Sequence, residues 1–146
     1  GCVRCVLETD FADGLLPPEA ISVGPLDVVV SARAIHHLPG AQMATLYASI
    51  FENIVPGGAF FNIDSADTAT FLLDTMYRRA DSNGEGSRRH ERTEHEFQQS
   101  KIDRHRDAPL HKHIEWLEAA GFNSVDCFWK RLTLDLVGGY KPMATD

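Results

Sequence analysis

The chain has few cysteines, no long apolar run and a deficit of positive charge, and each shortage excludes a class of protein. Three cysteines in 146 residues do not form a disulfide framework, and the lone Cys2–Cys5 pair lacks the further ligands of a zinc site. No apolar run approaches the roughly 18 residues of a membrane span. The net charge of −7 disfavours binding to a phosphate backbone. We expect a cytoplasmic protein with reduced thiols and without a metal, membrane or nucleic-acid partner.

Two segments carry the clearest structural signal, LDVVVSARAIHHL at 26–38 and IVPGGAFFNID at 54–64. The first begins with an uninterrupted apolar strand, which is typical of a parallel sheet with both faces covered. The second contains a Pro-Gly-Gly turn followed by another apolar strand. Because ligands of such sheets bind where the strands end, the candidate ligand contacts are Ser31, Ala32, His36, His37, Asp64 and Ser65.

The remaining pattern predicts one domain over 1–146 with an α/β fold. Apolar residues recur with helical spacing over 41–54, 67–80 and 109–120. Apolar stretches predict strands over 2–9, 27–31, 59–63, 125–129 and 132–140. The short Lys130-Arg131 connection is too tight for a parallel crossover, so the last strand should run antiparallel. The order of elements predicts a mixed sheet.

The segment 67–108 is expected to be a helical and polar insertion in this domain. Its second part, 81–107, carries almost no apolar residues and includes the Asn83-Gly84 turn signal. A segment of this kind is either a solvated loop and helix or a lid over a substrate.

Four segments, in their order, resemble class I S-adenosylmethionine-dependent methyltransferases. They are CVLETDFAD, LDVVVSARAIHHL, FENIVPGGAFFNID and LHKHIEWLEAAGFNSVDCFWKRLTLDLVGGYKP. The resemblance implies a Rossmann-like methyltransferase sheet, mixed through an antiparallel terminal hairpin. It also implies methyl transfer from S-adenosylmethionine to a small-molecule acceptor.

The sequence departs from that family in lacking its glycine-rich cofactor loop and the acidic residue after its second strand. No GxGxG occurs, so the chain resembles only the carboxy-terminal portion, without the first two strands. In the family those strands lie between its third and fourth strands, so strand 27–31 is expected at an apolar edge. Strand 2–9 could move in beside it, a second or complementing chain could fill the gap, or the piece could be poorly stable.

The resemblance also implies roles for residues at the strand ends. Asp10 would hydrogen-bond the adenine amino group and Phe11 would stack on the ring, whereas the residues alone equally predict a turn cap and a core side chain. Ser31 and Ala32 would lie along the methionine moiety of the cofactor. Arg33 would contact a carboxylate or the substrate, with a plain surface position as the alternative.

A methyl acceptor with a hydroxyl or amine group needs a base, and the paired histidines are the candidates. His36 is preferred to His37 by a small margin, and a structural histidine is the alternative for both. Asp64 could orient the acceptor or cap the next helix. Trp129 could line a substrate pocket or pack in the core. No metal-binding motif such as H-E-x-x-H is present.

Two further functions are open on the sequence alone. A catalytically inactive, methyltransferase-derived module would self-associate or bind a partner through the exposed strand edge. A hydrolase using Ser31 with a histidine is weaker, because the sequence has no G-x-S-x-G elbow.

Overall fold

A computed structural model of the chain describes residues 14–82, 93–103 and 108–144. These residues form five α-helices: α1 (Pro18–Ser22), α2 (Gly40–Asn53), α3 (Phe71–Ser82), α4 (Glu94–Asp103) and α5 (Leu110–Ala120). They form four strands: β1 (Leu26–Ala32), β2 (Ile54–Ser65), β3 (Asn123–Arg131) and β4 (Leu134–Tyr140). The predicted strand 2–9 lies outside the described residues, and so do Asp10 and Phe11.

The four strands form one sheet in the order β1-β2-β4-β3. β1 pairs with β2 in parallel, while β4 pairs antiparallel with both β2 and β3. Strand β3 therefore runs in the same direction as β1 and β2, and β4 is the reversed strand. The α/β fold with a mixed sheet and an antiparallel terminal hairpin is confirmed. In the sheet of the described residues, β1 is an edge strand, as predicted.

Helices α2 and α5 cover one face of this sheet, because both present an apolar stripe to it. Tyr47 of α2 packs on Phe60 of β2, with ring centroids 5.5 Å apart. Helix α5 ends at Gly121, which adopts φ 108° and allows the amide of Phe122 to bond Leu117. The helices predicted over 41–54 and 109–120 are confirmed with this face as their core.

Several element boundaries differ from the sequence prediction. Lys130 and Arg131, predicted as the connection of the terminal hairpin, lie in β3, and the turn falls at 132–133, where Leu132 adopts a φ of 56°. Helix α3 begins at Phe71 rather than at 67, because the Thr70 hydroxyl accepts the amide of Leu73 and acts as its N-cap. Strand β2 begins at Ile54, directly after α2, so it is longer than the predicted 59–63. Helix α4 lies in the polar part of the segment 67–108, which the sequence predicted to be either a solvated loop and helix or a lid, and its Phe97 is buried.

The opposite face of the sheet carries large apolar side chains. Phe61 of β2 makes edge-to-face contacts with Phe128 and Tyr140, at centroid distances of 5.4 and 5.8 Å. Val30, Phe128 and Tyr140 are 41 to 46% exposed. We call Val30, Phe61, Phe128 and Tyr140 the apolar face. A cluster of large, partly exposed apolar side chains of this kind is typical of a surface that binds another molecule.

Candidate functional site

His36 and Asp64 form a hydrogen-bonded pair where β1 and β2 end. His36 lies in a 3₁₀ turn, Ile35–His37, directly after β1, and Asp64 lies near the end of β2. The Asp64 carboxylate accepts the backbone amide of His36 at 3.0 Å, its Nδ1 at 2.5 Å and the amide of Ser65 at 2.8 Å. With Nδ1 donating to a carboxylate, Nε2 keeps its lone pair. Asp64 therefore orients the imidazole.

The two members of this pair differ in burial, which suits them to different tasks. The Asp64 side chain is 4% exposed, whereas that of His36 is 20% exposed. Burial strengthens the hydrogen bonds of the Asp64 carboxylate because the local dielectric constant is low. The partly open imidazole can meet a ligand. Asp64 does not cap the next helix, which was the commoner outcome expected from the sequence.

His37 lies beside His36 but outside this pair. Its ring centroid is 3.9 Å from that of His36, and the two ring planes are tilted by 40°. His37 is exposed, and no hydrogen bond of its side chain is recorded among the described residues. The geometry therefore separates the two histidines that the sequence alone barely distinguished.

The residues after β1 lie at the same edge of the sheet. Ser31 is buried and lies opposite Asn62 of β2, whereas Ala32 and Arg33 are exposed. Arg33 adopts φ 54°, which a side chain other than glycine rarely takes, and its amide bonds the carbonyl of Ile63 at 2.9 Å. This left-handed residue turns the chain from β1 into the 3₁₀ turn that carries His36.

Trp129 lies in β3, which is separated from β2 by β4. Its side chain is 45% exposed, so the core-packing alternative is wrong. Trp129 lies near the carboxyl end of β3. Because β4 lies between β3 and β2, Trp129 is not beside the His36–Asp64 pair. Its role toward a substrate stays a prediction, as do the cofactor roles of Asp10 and Phe11.

Sequence reasoning missed a second buried carboxyl group, Asp135 of β4. Its side chain is 3% exposed, it lies opposite Asp64 in the β2–β4 register, and Lys130 Nζ is 3.7 Å from its Oδ2. Burial raises the pKa of Asp135 to about 6, against the opposing effect of Lys130. The strand alternation contained a signal for it, because Asp135 shares the parity of buried Val137.

A buried hydrogen bond joins the two covering helices behind the site. The hydroxyl of Tyr47 in α2 lies 2.6 Å from Nδ1 of His113 in α5, and both residues are almost fully buried. Burial raises the pKa of Tyr47 and lowers that of His113, and the charge of Asp64 acts on both. Both side chains are therefore neutral around pH 7. They form part of the buried surroundings of Asp64 on the helix-covered face of the sheet.

Two cavities open near the carboxyl ends of the strands. One of about 280 Å³ has Arg33, Ser65, Tyr77, Arg131 and Thr133 among its lining residues. The other, of about 290 Å³, lies between the segment after β2 and α5, and Thr68, Leu110, Ile114 and Lys130 contribute to it. Both are near the lower limit of the size of small-molecule sites.

Neither a metal centre nor a membrane span is found in the part of the chain that the structure describes. Within residues 14–82, 93–103 and 108–144, no three His, Cys, Asp or Glu side chains come together as metal ligands. Across those same ranges, no helix has both the length and the apolar character needed to cross a bilayer.

Comparison with known sequences returned nothing, whereas comparison with solved structures returned methyltransferases. No family model matches the chain, and no curated protein matches it significantly. It is similar to an O-methyltransferase family protein from Burkholderia thailandensis (TM-score 0.59, 15% identity, 94% of this chain and 36% of that one). It is also similar to human N-acetylserotonin methyltransferase in complex with SAM (TM-score 0.53, 18% identity, 93% and 33%).

A third match has the same character. S-adenosylmethionine-dependent methyltransferase SibL, in its apo form, superposes with a TM-score of 0.54 at 16% identity, over 92% of this chain and 34% of that one. At such identities the likeness shows the fold alone. The chain therefore has the methyltransferase fold, and it spans about a third of the length of these three structures.

Proposed function

We propose that the chain takes part in methyl transfer from S-adenosylmethionine to a small-molecule acceptor, with His36 as the general base. This proposal rests on the His36–Asp64 pair, which lies where β1 and β2 end in a sheet of the methyltransferase fold. Three hydrogen bonds from two backbone amides and Nδ1 hold the carboxylate in place. They leave Nε2 as the atom that meets the acceptor.

The described residues fit part of a cofactor site. Ser31 Oγ is buried without a partner among the described residues, at the strand end that would face the methionine moiety. The adenosine side has no glycine-rich loop in this sequence. In the proposal Asp10 and Phe11 contact adenine, Ser31 and Ala32 lie along the methionine moiety, and a further segment or partner chain supplies the loop.

His36 would act on the acceptor rather than on the cofactor. Nε2 would take the proton from an acceptor O–H or N–H group, which leaves that oxygen or nitrogen with the electron pair it needs as a nucleophile. When bound, the cofactor would supply an electrophilic methyl group carried on a thioether leaving group. The imidazolium that forms on His36 is stabilised by the adjacent Asp64 carboxylate, whose two oxygens are already oriented.

The acceptor would extend from this pair toward the two cavities, the first of which is lined by Ser65, the residue that follows Asp64. Arg33 lines the cavity that Ser65 borders, and its guanidinium is suited to a carboxylate or another anionic group on the acceptor. Trp129 offers an exposed indole at the carboxyl end of β3. Asp64 would contribute through His36, since both of its oxygens already accept hydrogen bonds.

Helix α4 would act as the substrate lid of the segment 67–108. The Lys101 ammonium group contacts the Asp67 carboxylate and the Thr68 carbonyl, and it lies 4.9 Å from the centroid of the Phe97 ring. Phe97 in turn packs on Phe71, with centroids 5.8 Å apart. Lys101 and Phe97 therefore both fasten α4 to the segment that follows β2, next to one of the cavities.

Replacing Lys101 by methionine should loosen α4 without unfolding the sheet. Removing charge-assisted hydrogen bonds of this kind should lower amide protection over 94–103 by about tenfold or more. Hydrogen exchange followed by mass spectrometry measures this. Lys112→Met is the control, because the Lys112 ammonium group pairs with Glu115 on the exposed side of α5, away from α4 in the sequence. Unchanged exchange over 94–103 in Lys101→Met would contradict the fastening role.

The proposed function is tested by titrating S-adenosylhomocysteine into the purified chain while light scattering gives its mass. We expect saturable binding only where a second chain or a further segment completes the cofactor site, and weaker binding by Asp10→Asn and Phe11→Ala. Asp27→Asn is the matched control, since Asp27 is exposed at the amino end of β1. Tight binding by a monomer of this chain alone would contradict the need for completion.

The second candidate is a catalytically inactive, methyltransferase-derived module that binds or oligomerises. The apolar face and the edge strand β1 favour it, because both offer surface to another chain. It predicts a folded, self-associating sample that binds no S-adenosylhomocysteine in any oligomeric state. That result would reject the enzyme and support the module.

A further inference from the structure

The carboxyl group of Asp135 is an anomaly in the core of the sheet. The residue is 2% exposed, and its Oδ2 has no hydrogen-bond partner among the described residues. Lys130 of the neighbouring strand β3 faces this oxygen, with Nζ 3.7 Å away, beyond hydrogen-bond distance. A buried carboxylate with so weak a partner destabilises the folded state.

Asp135 belongs to a cluster of four buried polar side chains that includes Asp64. Asp64 lies opposite Asp135 in the β2–β4 register, and the neighbouring row contains Asn62 on β2 opposite Ser31 on β1. Ser31 Oγ and Asn62 Oδ1 are likewise buried without a partner among the described residues. Apolar side chains at these positions would make a more stable core, so their polarity calls for a role other than stability.

The titratable groups that interact with Asp135 or with its neighbour Asp64 come from β2, β3, α2 and α5. Asp64 on β2 carries like charge, Lys130 on β3 carries opposite charge, and Cys127 lies on the same strand as Lys130. Tyr47 on α2 responds to both carboxyl groups and stays neutral, while His113 on α5 responds to Asp64. The one cation in this set, Lys130, has a side chain that is 35% exposed, so water screens it more than it screens Asp135.

We propose that Asp135 is a positioning residue for His36: its carboxylate charge, across the sheet from Asp64, stabilises the imidazolium that forms when His36 accepts a proton. The inference rests on the proposed function, because only a base that receives a proton benefits from a second negative charge. Lys130 keeps Asp135 ionised at neutral pH, and Asp64 transmits the effect through its bond to Nδ1. Asp135 itself touches neither acceptor nor cofactor.

The first test follows the His36 imidazole by NMR in uniformly labelled chain, with the resonances assigned through His36→Ala. In Asp135→Asn the midpoint of the His36 titration should fall by about half to one pH unit, the size expected of one partly screened charge. Asp27→Asn removes an exposed carboxylate at the far end of β1 and should leave the midpoint unchanged. An unchanged midpoint in a folded Asp135→Asn overturns the proposal.

The second test separates this role from that of a structural ion pair. The pKa of Asp135 is raised in the folded state, so its contribution to stability is full below its ordinary value near 3.8 and is lost as pH rises through about 6. Asp135→Asn should therefore raise the urea midpoint at about pH 8 and have little effect at about pH 4. A lower urea midpoint at about pH 8 indicates a stabilising ion pair and overturns the proposal.

A second variant, Asp135→Leu, tests the proposal even if the asparagine amide of Asp135→Asn disturbs folding. Asp135→Leu removes the charge and is expected to fold at least as well, because replacing a weakly partnered buried carboxylate by an apolar side chain removes its desolvation cost. It should give the same fall in the His36 midpoint. If the midpoint falls but the completed protein binds no S-adenosylhomocysteine, the coupling is real while the proposed function, and with it the catalytic role of Asp135, is rejected.

Discussion

His36→Ala is expected to lower kcat for methyl transfer by a factor of about 10² to 10⁴, the usual contribution of a positioned general base. The physical reason is that Asp64 bonds Nδ1, so the lone pair of Nε2 is free to accept the proton. Binding of S-adenosylhomocysteine should be unaffected, because the imidazole acts on the acceptor. The measurement is the single-turnover rate at which a labelled methyl group is transferred to phenolic and carboxylate-bearing acceptors. It uses the chain together with the segment or partner chain that completes its cofactor site.

His37→Ala provides the control for this prediction, since His37 contacts the ring of His36 and lies outside the hydrogen-bonded pair. It should change kcat by less than about threefold. Asp64→Asn should fall close to His36→Ala, because an amide facing Nδ1 can favour the wrong tautomer. Equal activity of the His36 and His37 variants would remove His36 from the mechanism and leave methyl transfer driven by positioning alone.

Gly138→Ala is expected to destabilise the fold by about 3 kcal/mol or more, the upper range for forced overpacking. A Cβ on Gly138 would press into the carbonyl oxygen of Phe60 and lie 2.6 Å from Cδ1 of Phe61. The Phe60 carbonyl belongs to the paired strand β2 and cannot move without breaking the β2–β4 register. Urea unfolding followed by circular dichroism gives the loss of free energy.

Gly139→Ala is the matched control one residue along the same strand. Its Cβ would meet the Val125 Cγ2 at 2.9 Å and the Phe122 Cβ at 3.1 Å, and the first of these can rotate away. We expect a loss of about 1 kcal/mol or less from this substitution. Similar losses for the two variants would mean that the sheet yields at Gly138, and that the backbone of β2 is less rigid than its pairing indicates.

Local patterns were enough for the elements that the amino-acid order specifies by periodicity. The helix over 41–54 carries apolar residues on one stripe, and Gly121 with Phe122 forms the left-handed stop that ends α5. The antiparallel hairpin predicted for the last two strands is present, but its turn lies at Leu132 and Thr133 rather than at the predicted Lys130-Arg131 connection. The capping box of Thr93 and Glu96, with mutual hydrogen bonds of 2.7 to 3.3 Å, was also readable and would have located α4.

The contacts that make a site were beyond the reach of local patterns. His36 and Asp64 are 28 residues apart, and only the parallel pairing of β1 with β2 brings their strand ends together. Burial and hydrogen bonding, rather than sequence spacing, then distinguish His36 from His37. Trp129 lies near the carboxyl end of a strand parallel to β1 and β2, as the sequence predicted, but its separation from the pair depends on β4 lying between β3 and β2.

By itself the sequence determined the α/β class, the mixed sheet and the resemblance to methyltransferases, because periodicity and turn chemistry act over a few residues. Only the tertiary structure decided that Asp64 orients His36 and that Asp135 lies buried across from Asp64. Strand register is a long-range property: it depends on which residues of distant segments pair, and that pairing is set by the whole core. The electrostatics of the site follow from it, since burial and cross-strand charge exist only once the sheet has formed.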